Sequence, residues 1–520
     1  RSAKVREMTR SATGVLRQAA RVSLQSGGPA LAVLVCAATL AFAHQASAQS
    51  LPVTVEQALQ RVGVQAMEHG TVVLPLEPGP ALVLHNASTG LNPASTMKLL
   101  TTHAVLDLLR PQFRWNTSVH LRGSIQGDVL VGDLVLRGSG DPKLVIEDLR
   151  ALIGEMRTQG LREIRGRLVI DDSLYELDAV AGQAIDADRS QPYNVTPHAA
   201  LMNFKAVRLT VTPAGGRVLL SLDPPLGRIE LINDVRPVQG PCTNGVQGLQ
   251  VSEQGLGHAG QAAKAGLAGQ RVAVSRTAVR VSGTYSFGCG EQSNMVAVLE
   301  HREFIEALFA AAWEAAGGHW DGEAVIERHV DPGLPLLARW QADRTLADVV
   351  RDVNKFSNNV MARHLMLQAA IGPHPGASTR PASLERARLT LLQWLERRGL
   401  RTPELVIDNG SGLSRRERIS AESLARILID AARGEHAAIF IDSLPVAGED
   451  GTMRNRLRGD PVAGQAWIKT GSLNDVRSIA GYVRARSGRM YAVVMLVNGP
   501  RAAGSGPAQD ALLRWVHAHG

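Results

Sequence analysis

The texture of the chain changes twice along its length, and this alternation constrains the fold more than any other feature. Ser95-Thr-Met-Lys-Leu-Leu-Thr-Thr-His-Ala-Val-Leu-Asp-Leu-Leu109 carries apolar residues at spacings of three and four, which predicts a helix buried on one face. From about residue 115 the period becomes two. Segments 119–122 and 129–137 alternate as strands around Gly123-Ser-Ile-Gln-Gly-Asp128, and the loop Gly138-Ser-Gly-Asp-Pro142 follows. Residues 145–159 have helical spacing, and the stretch to about 300 is mostly strand and Gly/Pro turn. Helical periodicity returns at 302–316, 344–370, 382–399 and 420–433. Segments 466–469, 477–486 and 490–498 then read as an antiparallel meander, followed by a helix at 507–519. Near the start, 55–70 is expected to be helical, and 71–84 to form strands around Pro75-Leu-Glu-Pro-Gly-Pro80.

A chain of 520 residues is too long for one ordinary core. The simplest architecture is an α/β (α+β) unit, an antiparallel sheet flanked by helices, built from two sequence pieces, 49–119 and 326–520. A β-rich inserted region over 120–325, one subdomain or two, separates them. Apolar residues at 45% and charged ones at 20% exclude a disordered chain.

Residues 1–48 are expected to be a cleaved secretory signal. An Arg-rich leader with Glu7 as its one acid precedes the apolar run from Pro29 to Ala43, and Ala46-Ser-Ala48 supplies the small-residue cleavage pattern. A membrane anchor is the competing reading, but the run is shorter than the ~20 residues that span a bilayer, so no stable membrane span is expected. The leader holds most of the formal net charge of +8, so the remaining charge points to no nucleic-acid partner. A mildly basic mature protein can associate weakly with an anionic surface.

Cys36 lies in the leader, leaving Cys242 and Cys289. In an exported chain this pair, each cysteine in a Gly-rich turn, invites a disulfide closing a loop of about fifty residues. Two unrelated thiols remain the alternative.

Three short motifs carry candidate chemistry. In Ser95-Thr-Met-Lys98 a lysine three positions after a serine at a helix start falls on the same face, where its amine reaches the hydroxyl. A serine hydroxyl needs a base, and desolvation lowers a lysine towards neutrality so that it can serve as one. Of the seven lysines only Lys98 has a serine three residues before it. Ser357-Asn-Asn359 puts short polar side chains in a helical context between Val353, Phe356, Val360 and Met361, which is unfavourable unless they hydrogen-bond to something. Ser357 is a candidate proton relay, and Asn359 a candidate ligand of Lys98 and the substrate amide. Lys469-Thr-Gly-Ser472 follows Gln465-Ala-Trp-Ile468 on or near a strand end. Lys469 and Thr470 suit a carboxylate, Gly471 is expected to leave room for a peptide along the strand, and the Ser472 N–H can donate to an oxyanion.

Each motif alone is weak. Their coincidence, in this order and in helix, helix and strand contexts, forms the signature set of penicillin-binding proteins and serine β-lactamases. The chain further resembles the class C low-molecular-mass penicillin-binding proteins, the D-alanyl-D-alanine carboxypeptidase/endopeptidases of penicillin-binding protein 4 type. The resemblance rests on Asn92-Pro-Ala-Ser-Thr-Met-Lys98, Gly138-Ser-Gly-Asp-Pro142, Tyr193-Asn-Val-Thr-Pro-His-Ala-Ala-Leu-Met-Asn203, Asn354-Lys-Phe-Ser-Asn-Asn359, Asp408-Asn-Gly-Ser-Gly-Leu413, Gly451-Thr-Met453 and Lys469-Thr-Gly-Ser-Leu473. The long gap between the first two catalytic motifs matches a family that carries extra domains there.

That resemblance implies the penicillin-binding/β-lactamase-like transpeptidase fold and a serine hydrolase acting on peptidoglycan peptides in the periplasm, with β-lactams as covalent inhibitors. It implies Ser95 as nucleophile, Lys98 as its base, Ser357 and Asn359 in the proton and substrate network, Lys469 and Thr470 on the terminal carboxylate, and the Ser95 and Ser472 amides as the oxyanion hole. It assigns no role to Lys143, where a small polar residue is expected after Asp-Pro. No cofactor and no metal are implied, the histidines being scattered at non-ligand spacings. Gly255-Leu-Gly-His-Ala-Gly260 matches a dinucleotide pattern but lacks a clean preceding strand, and reads as a flexible surface loop. A β-lactamase or esterase of the same fold shares the acylation step and stays open as the alternative. A non-catalytic wall-binding reading is disfavoured by three intact motifs.

Overall fold

Strand-forming runs from opposite ends of the chain build one sheet. The computed structural model describes residues 50–177, 185–186, 188–256, 276–373 and 380–520. The leader expected over 1–48 lies outside the described residues. Among those described, no helix is long and apolar enough to cross a membrane.

Strands β1 (His69–Pro75) and β2 (Val83–His85) join β16 (Ala466–Leu473), β17 (Val476–Arg484) and β18 (Met490–Asn498) in the order β16-β17-β18-β1-β2, all antiparallel. Thr71 lies opposite Met495 and Val73 opposite Val493, so the two ends of the chain are stitched edge to edge. Successive side chains of a strand face opposite sides, and β18 is apolar on both. Val493, Met495 and Val497 pack with the Val53–Val62 and Gly506–His519 helices. Val494 and Leu496 pack with the Lys98–Leu109 and Ala421–Arg433 helices. The sheet is therefore sandwiched between helices, which explains its near-continuous Val/Leu/Met run.

The Lys98–Leu109 helix is buried nearly all round, from Lys98 through Leu106 and again at Leu109. A helix apolar on one face only was expected. Its threonines and lysine are absorbed by hydrogen bonds, so polarity on that side does not signal solvent. The N-terminal helix stops at Val62, short of the expected residue 70, because Gly63 takes a left-handed φ of 72° and ends it.

Between β2 and β16 a second group of strands has its own apolar cluster, from Val119 to Ala338. The hairpin β3 (Asn116–Gln126) and β4 (Val129–Arg137) is extended by β5 (Glu163–Ile164), β6 (Leu168–Asp171), β13 (His319–Trp320), β14 (Ala324–Glu327) and β15 (Leu336–Gln341). β15 pairs with β3, Gln341 opposite Asn116, so this sheet returns the chain close to where it left. The Ile146–Thr158 and His301–Ala315 helices cover it through Leu149, Leu152, Ile153, Phe304 and Leu308. Two three-stranded sheets complete this part: β7 (Ala206–Ala214), β8 (Arg217–Asp223) and β12 (Gln292–Ala297); and β9 (Ile229–Val238), β10 (Gln250–Leu256) and β11 (Arg276–Ser286). Cys242 and Cys289 are joined by a disulfide across 47 positions. Gly255 and Leu256, assigned to a loop from the sequence, lie in β10 opposite Thr277 and Arg276. The remainder of that glycine pattern lies outside the described residues.

Candidate active site

Ser95 sits in a tight 3-10 turn, Ala94–Met97, that runs directly into the Lys98–Leu109 helix. Side chains from distant parts of the chain hold the approach to this turn. Asn92 Oδ1 accepts from the Ala94 N–H at 2.9 Å and the Asn92 amide donates to Ser414 O at 2.8 Å. Asn498 accepts from the Asn92 N–H at 2.7 Å and donates back to Asn92 O at 3.0 Å. Ser478 Oγ donates to Pro93 O at 2.6 Å. Ala94 adopts φ 45°, uncommon for a residue with a Cβ and found where the surroundings over-determine it. Opposite it, Gly412 stands at φ 80°, and a Cβ there would lie 1.9 Å from Ala94 O and 2.6 Å from Ser95 N.

Lys98 is fully buried. Its Nζ lies 3.0 Å from Ser95 Oγ, 2.6 Å from Asn359 Oδ1 and 2.5 Å from Ser411 O. Burial holds it well below the ordinary lysine value, aided by the charge of Lys469 and opposed by that of Glu417. A neutral amine has two hydrogens and one lone pair. Both carbonyl oxygens can only accept, so they take the two hydrogens, and the lone pair is left facing the Ser95 hydroxyl. This arrangement can remove the serine proton.

The helix expected over 344–370 is two helices, Leu346–Phe356 and Asn359–Ile371, and the break falls on the second motif. Ser357 takes a left-handed φ of 59°, and Asn358 Oδ1 accepts from the Met361 N–H at 3.0 Å to cap the next helix. Asn359 then opens that helix with its side chain on Lys98. A polar cluster that is unfavourable inside a helix is favourable at this junction, where each side chain has a partner.

Lys469 approaches the same junction from β16. Its Nζ donates to Ser357 Oγ at 2.9 Å and to Thr470 O at 2.7 Å, and burial lowers it to about 7. An ammonium has three hydrogens, so one is left for a ligand. The motif lies within β16, the end strand of the sheet, whose outer edge bonds Pro445 and Ala447 as far as Ile468 and, among the described residues, pairs with no strand from Lys469 onward. Beyond Ile468 the outward backbone groups of that edge can receive an extended peptide. Gly471, however, does not make room for that peptide: a Cβ there would lie 2.2 Å from Ser478 Oγ, 2.8 Å from Ser95 N and 2.9 Å from Pro93 O. The space it leaves is filled by the nucleophile's own turn, which brings the Ser95 N–H close to the strand. Ser472 is exposed beyond it, and Thr470 Oγ1 donates to Thr452 Oγ1 at 2.9 Å.

The structure thus brings Ser95, Lys98, Ser357, Asn359, Lys469 and Thr470 together, with Ser472 two residues along the strand from Thr470. It also adds residues that no pattern singled out. Glu417 is fully buried, its Oε1 accepting from the Asn409 and Gly410 N–H groups at 3.1 and 2.9 Å. It thereby anchors the loop whose Ser411 carbonyl holds Lys98. Burial raises Glu417 to about 7, against those two N–H groups and the Lys98 charge. A single glutamate in a Gly/Ser-rich loop has no sequence signature of burial. Lys143 pairs with Asp352 at 2.5 Å, tying the Gly138-to-Pro142 loop to the Leu346–Phe356 helix.

Residues 51–519 match the D-Ala-D-Ala carboxypeptidase 3 (S13) family. The chain belongs to this family. As an S13 member it is a serine-type D-Ala-D-Ala carboxypeptidase, a hydrolase. A D-alanyl-D-alanine carboxypeptidase of Actinomadura sp. (strain R39) is 29% identical over 96% of this chain and 90% of its own length. The crystal structure of penicillin-binding protein 4 from Haemophilus influenzae shares the fold, with a TM-score of 0.73 and 22% identity over 90% of the S13 chain and 100% of its own. The same protein complexed with a novel β-lactam gives a TM-score of 0.68 at 22% identity over the same shares of the two chains.

Proposed function

We propose that this S13 enzyme cleaves D-alanyl bonds of peptidoglycan stem peptides through an ester on Ser95, and that β-lactams acylate the same oxygen. The observation that carries this reading is the contact of Lys98 Nζ with Ser95 Oγ at 3.0 Å while both of its hydrogens are engaged elsewhere. Lys98 takes the hydroxyl proton as the Ser95 oxygen attacks the carbonyl carbon. The oxyanion forms between the Ser95 and Ser472 N–H groups. The carbon–nitrogen bond then breaks, and the proton passes from Lys98, by way of Ser357, to the departing amine. Water repeats the sequence on the ester, giving up one proton to Lys98 and returning the free acid and the Ser95 hydroxyl. Lys469 and Thr470 hold the carboxylate of the departing residue.

The reading places the enzyme in the periplasm after removal of residues 1–48, supported by the leader's basic, apolar and Ala46-Ser-Ala48 segments in sequence. It takes the chain as one catalytic unit in two sequence pieces around the β-rich insertion, supported by their separate apolar clusters. Mass analysis of defined muropeptides incubated with the purified protein tests it: D-alanine is expected to be released, and a penicillin adduct to persist. Rapid turnover of penicillin without D-alanine release would instead make it a β-lactamase.

A further inference from the structure

Taking the Ser95 proton turns Lys98 into a cation inside the protein. Lys98 is fully buried, and the three oxygens around its Nζ belong to a hydroxyl, a side-chain amide and a backbone carbonyl, none of them charged. A buried ammonium with no counter-charge is costly. Two cations nearby raise that cost. Arg363 follows Asn359 by four positions on the same face of the Asn359–Ile371 helix and is itself buried. It repels a charge on Lys98, as Lys469 does. Of the charged groups that act on Lys98, only Glu417 is an acid.

The two oxygens of that carboxylate are used unequally. Oε1 accepts from both loop N–H groups, whereas Oε2, buried as deeply, has no hydrogen-bond partner among the described residues. Arg363 is incomplete in the same way: it donates to Val195 O at 3.2 Å, and its Nε has no partner among the described residues. The two side chains attract one another without closing an ion pair. Asp408, the other acid of this loop, is taken up by Arg388, Arg416 and the Ser414 hydroxyl. Holding the loop needs only an acceptor, since an amide oxygen would receive the same two N–H groups. The charge at 417 therefore has a use besides anchoring.

We propose that Glu417 is the counter-charge of the Lys98 ammonium, a carboxylate kept short of a full partner so that it stabilises the cation formed as Ser95 attacks. The proton moves from Ser95 Oγ to Lys98 Nζ and on to the departing amine. Glu417 gains none and stays a carboxylate throughout. It touches neither substrate nor nucleophile, so it is a positioning residue that acts through Lys98, and its role rests on Lys98 being the base. Its charge depends on pH. Burial raises Glu417, with Asp408 adding to the effect and the Asn409 and Gly410 N–H groups and Lys98 opposing it, to about 7. The carboxylate is present above that pH and lost below it.

The test follows the second-order rate of acylation by a fluorescent penicillin, on both sides of pH 7, in the purified protein and its Glu417→Gln variant. Above pH 7 the variant should acylate roughly tenfold more slowly, the scale of one charge acting through a protein interior. As pH falls through about 7 the parent loses its own carboxylate, and the two rates should converge. Their ratio at each pH removes what both proteins share, such as loss of charge on Lys469 above about 7. A variant equal to the parent at every pH overturns the proposal and leaves Glu417 an anchor. A variant slower by one constant factor also overturns it, because a displaced loop does not titrate. Should Glu417→Gln fail to fold, the parent decides: its rate should fall at least roughly tenfold as pH drops through about 7, and a rate flat through 7 overturns the proposal. A parent that never acylates, or one that acylates as fast after Lys98→Arg, strikes the Ser95 and Lys98 reading instead.

Discussion

Lys98 Nζ and Asn359 Oδ1 lie 2.6 Å apart although 261 positions separate them in the sequence. The contact makes one site of two motifs, and it tolerates the long interval because that interval folds on its own core and returns through the β3–β15 pairing. Closing a longer loop costs little, each doubling adding only about 0.6 kcal/mol. What matters is that the ends of the insertion are adjacent.

Ser95→Ala removes the hydroxyl that faces Lys98. The variant should fold with an unchanged melting profile and carry no penicillin after denaturation. An adduct that survives denaturation of Ser95→Ala places the nucleophile elsewhere.

Lys98→Arg replaces a group held neutral by burial with one that stays charged at any working pH. Acylation by penicillin, followed by stopped-flow or gel fluorescence, should slow at least ~10²-fold. A variant within a few-fold of the parent would show that another group accepts the proton.

The pH dependence of peptide recognition should follow Lys469. Its value is lowered to about 7, so its ammonium is present below that pH and lost above it. Because kcat/KM reports the free enzyme, its value for a peptide ending in a carboxylate should fall as pH rises through about 7. An analogue with that carboxylate amidated should lack this limb. Identical profiles for the two would detach Lys469 from the carboxylate.

Two glycines separate backbone strain from crowding at the nucleophile. Gly127 (φ 67°) has nothing within 4 Å of an added Cβ, whereas at Gly412 (φ 80°) the Cβ would strike Ala94 O. Both alanine variants should lose about 1 kcal/mol or more on denaturant unfolding. Only Gly412→Ala should also slow acylation, by about 10²-fold, the effect of displacing a reacting group by an ångström. Equal acylation rates in the two variants would mean that the Ala94–Met97 turn is not held by this contact.

The Cys242–Cys289 bond closes 47 positions within the insertion, far in sequence from the three motifs. No free thiol is expected in the denatured, unreduced mature protein. Reduction should cost about 4 kcal/mol in the chain-entropy description and leave acylation intact. A reduced protein that stays folded yet fails to acylate would tie the insertion directly to catalysis.

Much of this arrangement is legible in the sequence because its signals are local. The alternation at 129–137, the meander after 466 and the three motifs each declare themselves within a dozen residues. What escapes is non-local or conformational. Nothing in Phe356-Ser-Asn-Asn359 announces that Ser357 turns left-handed, since its periodicity runs on unbroken into the next helix. Gly471 suggests open space, and only the folded chain shows Pro93 to Ser95 occupying it. Asn92 and Asn498, which grip one another, lie 406 positions apart, beyond the reach of any pattern. Glu417 looks like any surface acid until its loop is folded over Lys98.

The central place of β18 between β17 and β1 carries a consequence for timing. A ribosome delivers Ser95 and Lys98 early and Lys469 near the end, and β18 later still. Until β18 docks, β1 and β2 stay apart from β16 and β17 and the cluster around the Lys98–Leu109 helix lacks Val494 and Leu496, and an amine left in water keeps its ordinary value of 10.5 and its proton. A nascent chain therefore holds an inert serine. Reactivity towards peptides and penicillins arrives in one step, with the last strand, so an antibiotic present during biosynthesis can mark only finished molecules.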